Sequence, residues 1–279
     1  ALKMFKSFVF VSALIALMFL FHNCSDSTSP ELNFERIDSK LNIVLREELT
    51  PESRNLILNC RTERIYPCCN YGIDYSMVKG AKIFKVRFSK IVMPQICLTA
   101  LGPAGCSINL GSLADGQYSL ELEVNGKTEI AQLVISENTY QVNHQPGLNF
   151  KFENPQLNRI PQFLIWGSVG YINDSLTSVV NTFIDSLQIL GAQQVQLLPG
   201  DYWYFKVDSQ GNLIPPEYHG YPSIKMFAYN FNGSLDELKE FIYSFSSRYY
   251  NKLYISLSDW RGEVIYGWAM VVHDLSFEI

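Results

Sequence analysis

The stretch YSLELEVNGKTEIAQLVIS, residues 118–136, constrains the fold more than any other part of the chain. Its apolar and polar residues alternate, and a period of two places them on opposite faces of a strand. Asn125-Gly126 stands between the two alternating runs, and both residues tolerate the positive φ of a type I′ turn. The stretch therefore predicts a tight antiparallel hairpin with one face for a core. Asp115-Gly116 makes a similar break just before Tyr118.

The same grammar holds over residues 41–152, in the runs LNIVLR, NLILNC, IFKVRFSKIV and LNFKF, with no long helical stripe between them. Short strands at this spacing predict a β-sandwich of two antiparallel sheets. LGSLADGQYSLELEVNG resembles the late strands of immunoglobulin-like modules in exported bacterial proteins, which implies an immunoglobulin-like sandwich. Residues 153–162, rich in Pro and polar side chains, read as a linker.

From residue 163 to 279 the pattern changes to an α+β domain. FLIWGSVGYI reads as a strand, and SLTSVVNTFIDSLQILG as a helix with Leu176, Val179, Val180, Phe183, Leu187 and Leu190 on one stripe. AQQVQLL, DYWYFKVD and SIKMFAYNF read as strands, followed by a helix at SLDELKEFIYSFSSRYY and strands at KLYISLS and EVIYGWAMVV. Ser234 and Glu237 have the spacing of a capping box. Asn173-Asp174-Ser175-Leu176 is echoed by Asn232-Gly233-Ser234-Leu235, each between a strand and a helix. Two similar βαβ units predict a ferredoxin-like sandwich with both helices on one sheet face.

At the other end, Lys3 and Lys6 precede the apolar run Ser7–Phe21. Fifteen helical residues span about 22 Å at 1.5 Å per residue, short of the roughly 30 Å of a bilayer core. A positive start, a short apolar run and a polar continuation follow the plan of a signal peptide, assigned to residues 1–23. Cys24, directly after it and before SDSTSP, resembles the lipobox cysteine and tether of a bacterial lipoprotein. Phe21 and Asn23 depart from the residues that family prefers before its cysteine. The resemblance implies lipidation at Cys24, a tether over residues 24–40 and a membrane-anchored lipoprotein, periplasmic or on the cell surface.

Removal of Lys3 and Lys6 would leave 20 basic against 27 acidic residues, a net charge of −7. An acidic chain without a basic run lacks the electrostatic footprint for nucleic acid. With 47% hydrophobic and 14% aromatic residues it has ample material for folded cores.

Five further cysteines remain, Cys60, Cys68, Cys69, Cys97 and Cys106. In an oxidising compartment the simplest scheme pairs Cys97 with Cys106 across LTALGPAG, and Cys60 with one of Cys68 and Cys69. No C-x-x-C occurs and no histidine lies near, so no metal or other cofactor is expected. His144, His219 and His273 form no close ligand pair, and Gly167-Ser168-Val169-Gly170 has the wrong spacing for a nucleophile elbow. Its glycines read as places where a strand lets a neighbour approach closely.

Two groups remain as site candidates. Asp201 and Asp259 follow equivalent strands of the proposed repeat, and a pair of carboxylates suits glycoside hydrolysis; Asp before a turn also serves local backbone bonding alone. Tyr202, Trp203, Tyr204, Tyr218, Tyr221 and Trp260 crowd the second half and suit stacking on sugar rings or anchoring a protein, unless they pack inside. The resulting expectation is an exported, lipid-anchored, non-catalytic binding protein for a glycan or an envelope protein. The alternatives are a cell-envelope glycoside hydrolase using Asp201 and Asp259, and a structural or assembly subunit of an envelope complex.

Overall fold

The computed structural model describes residues 34–145, 147–217 and 220–267. Cys24, Tyr218, His219 and His273 lie outside them. The described residues from Glu35 onward form one compact unit. It is rich in β-structure, with strands β1 (Phe34–Glu35) through β19 (Val264–Tyr266) and two α-helices. No helix among the described residues is long and apolar enough to cross a membrane.

The first half is one large sheet. Its main path runs through β10 (Phe150–Phe152), β2 (Leu41–Leu49), β3 (Arg54–Tyr66), β6 (Gly102–Gly111), β4 (Gly72–Lys79), β5 (Ile83–Val92), β7 (Gly116–Val124), β8 (Lys127–Ile135), β9 (Thr139–Asn143) and β11 (Gln156–Asn158). Strand β10 runs parallel to β2, and β5 to β7. Between β4 and β6 the sheet is joined through the single pair Gly72 and Gly105.

Alternation explains these strands. In β2 every second residue, from Leu41 to Leu49, is buried. Tyr118, Leu120, Leu122 and Val124 of β7 repeat the pattern, and Asn125 and Gly126 both carry positive φ between β7 and β8. The sheet curls so that its inner face closes on itself. Phe88 of β5 meets Phe150 of β10, with ring centres 5.7 Å apart, and one apolar cluster takes Leu45, Leu58, Ile108, Phe84, Leu122 and Leu133 from across the path.

The disulfide joins Cys68 to Cys97. That corrects the expected pairing of Cys97 with Cys106 and of Cys60 with Cys68 or Cys69. The reason is register. GPAGCSINLG, which is not among the runs that alternate in the sequence, is strand β6, which fixes Cys106 opposite Cys60. Cys60, Cys69 and Cys106 are free thiols.

The stretch read as a linker contributes β11, which pairs with β9. Beyond it lies a five-stranded antiparallel sheet in the order β13 (Gln193–Gln194), β17 (Ser223–Asn230), β12 (Leu164–Tyr171), β18 (Leu253–Asp259), β19. Helices α1 (Thr177–Ile189) and α2 (Leu235–Ser247) cover one face, where Val180, Phe183 and Leu187 of α1 and Leu238, Ile242 and Phe245 of α2 pack on Ile165, Val169, Phe227 and Ile255. Ser234 caps α2 by accepting the Glu237 amide at 3.4 Å, as its spacing predicts.

The connection from β13 to β17 holds a small sheet of β14 (Gly200–Asp201), β15 (Lys206–Val207) and β16 (Leu213–Ile214). DYWYFKVD is therefore not one strand. Asp201 Oδ1 accepts the Trp203 amide at 2.7 Å, the Tyr202 amide reaches Phe205 O at 2.9 Å, and Trp203 takes φ +67°. A carboxylate bonding the amide two residues on makes a turn more favourable than extension here. This small sheet buries Tyr202, Phe205 and Val207 with Leu49, Ile160, Leu164 and Trp166, joining both halves in one cluster. Each fully buried aromatic or large aliphatic side chain contributes about 1.5–3 kcal/mol.

Candidate functional site

The turn at Asp201–Phe205 divides its aromatics by role. Tyr202 is buried, its ring stacked on Phe205 at 4.8 Å and its hydroxyl accepting the Leu198 amide at 2.9 Å. Burial pushes its phenol pKa up. Tyr204 leans on Trp166 at 5.4 Å and accepts the Leu49 amide at 3.3 Å through its hydroxyl. Burial raises its pKa as well. Trp203, with the left-handed backbone, is turned outward and is 39% exposed, and Tyr204 beside it is 41% exposed.

Trp203 stands on one wall of a groove of about 730 Å³. The other residues of the groove come from the first sheet: Arg46 of β2, Asn59, Cys60 and Arg61 of β3, and Pro103, Gly105, Cys106 and Ser107 of β6, with Cys69, Tyr71, Leu101 and Gly102 at one end. The volume lies in the usual range of ligand sites, about 300–1,000 Å³. Strand alternation aims Asn59, Arg61 and Ser107 out of the core, and Ser107 Oγ donates to Asn59 Oδ1 at 2.9 Å. The Arg46 guanidinium lies 5.9 Å from the centre of the Trp203 ring and donates to Glu48 at 3.1 Å. Its Nε is buried without a partner, and Arg61 has no carboxylate partner among the described residues.

The disulfide builds the end wall. Cys68–Cys97 ties the β3–β4 turn to the loop before β6, and Asn70 clamps that loop by donating to Ile96 O at 2.7 Å and accepting the Leu98 amide at 3.1 Å. Gly102 lets the turn approach, since a Cβ there would lie 2.8 Å from Cys69 Cα. Ile96, Leu98 and Leu101 are left more than half exposed on this stapled loop.

The remaining candidates are scattered. Trp260 is half-buried against Phe163 at 5.6 Å, and its amide bonds Leu164 O at one end of β12. Tyr221 stacks on Tyr254 at 4.6 Å and covers Gly170 near the other end. Six residue steps along β12 separate those ends, roughly 20 Å at 3.3 Å each, so Tyr221 and Trp260 do not share one aromatic face.

Asp201 and Asp259 line no common cavity. Asp259, 1% exposed, accepts the amides of Arg261 and Glu263 and the Arg261 side chain, at 3.0, 2.9 and 2.9 Å. It lines a cavity of only about 90 Å³ with Trp260 and Arg261, and Asp201 is not among the lining residues. Both carboxylates close their own turns.

Asn59, Arg61 and Ser107 carry no local signal of a site, because alternation alone makes them ordinary outward positions on strands. Glu47 was legible. Leu41, Ile43, Leu45 and Leu49 mark the core phase of β2, and Glu47 occupies that phase fully buried. Among the described residues no three His, Cys, Asp or Glu side chains cluster as metal ligands, and His144 is engaged by Glu129 at 3.2 Å. Compared with protein-family models, curated proteins and solved structures, the chain gives no match.

Proposed function

We propose that this is an exported, non-catalytic binding protein of the bacterial cell envelope, anchored by a lipid on Cys24, whose ligand is a glycan held in the Trp203 groove. The observation that carries the reading is Trp203 itself. A left-handed turn fixed by Asp201 holds an exposed indole beside a groove lined by Arg46, Asn59, Arg61, Tyr71 and Ser107. An aromatic plate with hydrogen-bond donors and acceptors beside it suits a sugar, which offers an apolar ring face and a rim of hydroxyls. The arginines favour a glycan bearing carboxylates. Hydrolysis finds no support in Asp201 and Asp259, since both are engaged by backbone amides.

The fold reading goes with this function. An immunoglobulin-like sandwich is supported by the curled sheet and its single core, and a ferredoxin-like second half by the order β13-β17-β12-β18 with both helices on one face. On this reading the sandwich spaces the second half from the membrane and supplies most of the groove.

Two experiments test these claims. On an array of acidic and neutral oligosaccharides, the native protein is expected to retain uronate-containing chains, and Trp203→Ala to weaken binding at least tenfold, about 1.4 kcal/mol, with its unfolding transition unchanged. Retention of no glycan, or equal binding by the variant, removes the reading. Cys24→Ser is expected to move the protein from the membrane to the soluble fraction with loss of the lipid mass; an unchanged mass and fraction contradicts anchoring.

A protein partner is the second reading. The exposed Ile96, Leu98 and Leu101 favour it, because a cluster of large apolar side chains on a stapled loop suits docking better than solvent.

A further inference from the structure

Cys60 and Cys106 face each other across the antiparallel pair β3 and β6, in a register that continues with Asn59 opposite Ser107 and Arg61 opposite Gly105. Directly opposed residues in such a ladder have Cα atoms about 4.5–5.5 Å apart, within the roughly 4.4–6.8 Å that a disulfide spans. Both side chains project to the same, inner face: Cys60 is in phase with Leu58, and Cys106 with Ala104 and Ile108. Cys68 and Cys97 already hold each other, so neither competes for these thiols. Cys60 is fully buried, whereas Cys106 is only partly buried and lines the groove.

We propose that Cys60 and Cys106 are a dithiol that closes to a second disulfide by exchange with a disulfide oxidant, cross-linking the two strands that floor the Trp203 groove. In the first step the Cys106 thiolate attacks one sulfur of the oxidant, forming a mixed disulfide and releasing one thiolate. The Cys60 thiolate then attacks the Cys106 sulfur, and the second oxidant thiolate leaves. The two cysteine protons end on the two released thiols, the cysteines are oxidised by two electrons, and the oxidant is reduced by two. The order follows from access, and also from the Cys60 thiol, whose pKa is raised well above the ordinary cysteine range by its contact with Cys106 and by burial. The cross-link is independent of what the groove binds.

The test is peptide mapping of the folded full chain after exposure to oxidised glutathione, with free thiols blocked and trypsin used without reductant. Trypsin isolates Cys60 in the peptide Asn55–Arg61. The expected result is that this peptide runs linked to the pair Ile65–Lys79 and Ile91–Lys127 that Cys68–Cys97 already joins, two hydrogens lighter than the free peptide and that pair together, and is released only on reduction. Fragmentation of the linked species is expected to place the bond on Cys106. The link should persist in Cys69→Ser and vanish in Cys106→Ser. Recovery of Asn55–Arg61 as a free blocked peptide after oxidation overturns the proposal, as does a link to Cys69 or one that survives in Cys106→Ser.

Discussion

Glu47→Ala is expected to lower stability by about 3–5 kcal/mol, the usual cost of removing one member of a buried charged pair. Total domain stability is only about 5–15 kcal/mol. Glu47 sits at a core position of β2 with its side chain fully buried, 3.5 Å from Arg54. It accepts the Tyr140 hydroxyl and the Ile160 amide, both at 3.0 Å. Alanine would leave the Tyr140 and Ile160 donors without a partner, and about 1–3 kcal/mol for each such buried group accounts for most of that cost. Ile160 belongs to the cluster that joins both halves, so the damage should spread beyond the first sheet. Urea unfolding measures it as a lowered midpoint.

Glu47→Gln separates charge from packing. Burial is the largest influence on the Glu47 carboxyl and raises its pKa, outweighing the opposing pull of Arg54 and the bonds from Ile160 and Tyr140. The folded state therefore binds the proton more tightly than the unfolded chain does. The resulting stabilisation is fully present below the usual glutamate range and is lost as pH rises through the raised value. The stability difference between Glu47→Gln and the native protein should accordingly shift toward the variant across that window. A difference independent of pH would show that Glu47 titrates as in the unfolded chain.

Gly167→Ala is the second large effect, about 3 kcal/mol or more for an overpacked interior. Gly167 lies in β12, paired with Leu257 on one side and Phe227 on the other. A Cβ would stand 2.0 Å from Ser256 O and 2.9 Å from Leu257 Cα, and backbone in the middle of a sheet has nowhere to move. Gly80→Ala is the control. Its nearest neighbour to a new Cβ is Ile83 O at an ordinary 3.4 Å, and a change within about 0.5 kcal/mol is expected. Equal effects at both positions would discount the steric account.

What the sequence conveyed follows the range of the forces involved. IFKVRFSKIV alternates along its own length and is strand β5 over those residues. Asn125-Gly126 and Ser234 act on the backbone within a few residues, so their turn and cap were legible. GPAGCSINLG was not, because Gly and Pro imitate a loop while pairing with β3 decides the matter. Tyr202–Phe205 misled in the opposite direction: aromatic residues favour strands, yet the Asp201 side chain captures the Trp203 amide and turns the chain. The disulfide depended on that same missed strand. Trp203 was visible as a candidate, but Arg46, Asn59, Arg61 and Ser107 meet it only through tertiary packing.

Hydrogen exchange of the native protein, with and without a saturating uronate-containing oligosaccharide retained by the array, locates the ligand most directly. The account predicts slowed exchange in two segments distant in sequence, the β3–β6 ladder around Asn59–Arg61 and Gly105–Ser107, and the turn Asp201–Phe205. Protection confined to the five-stranded sheet near Tyr221, or none in either segment under saturation, would contradict it.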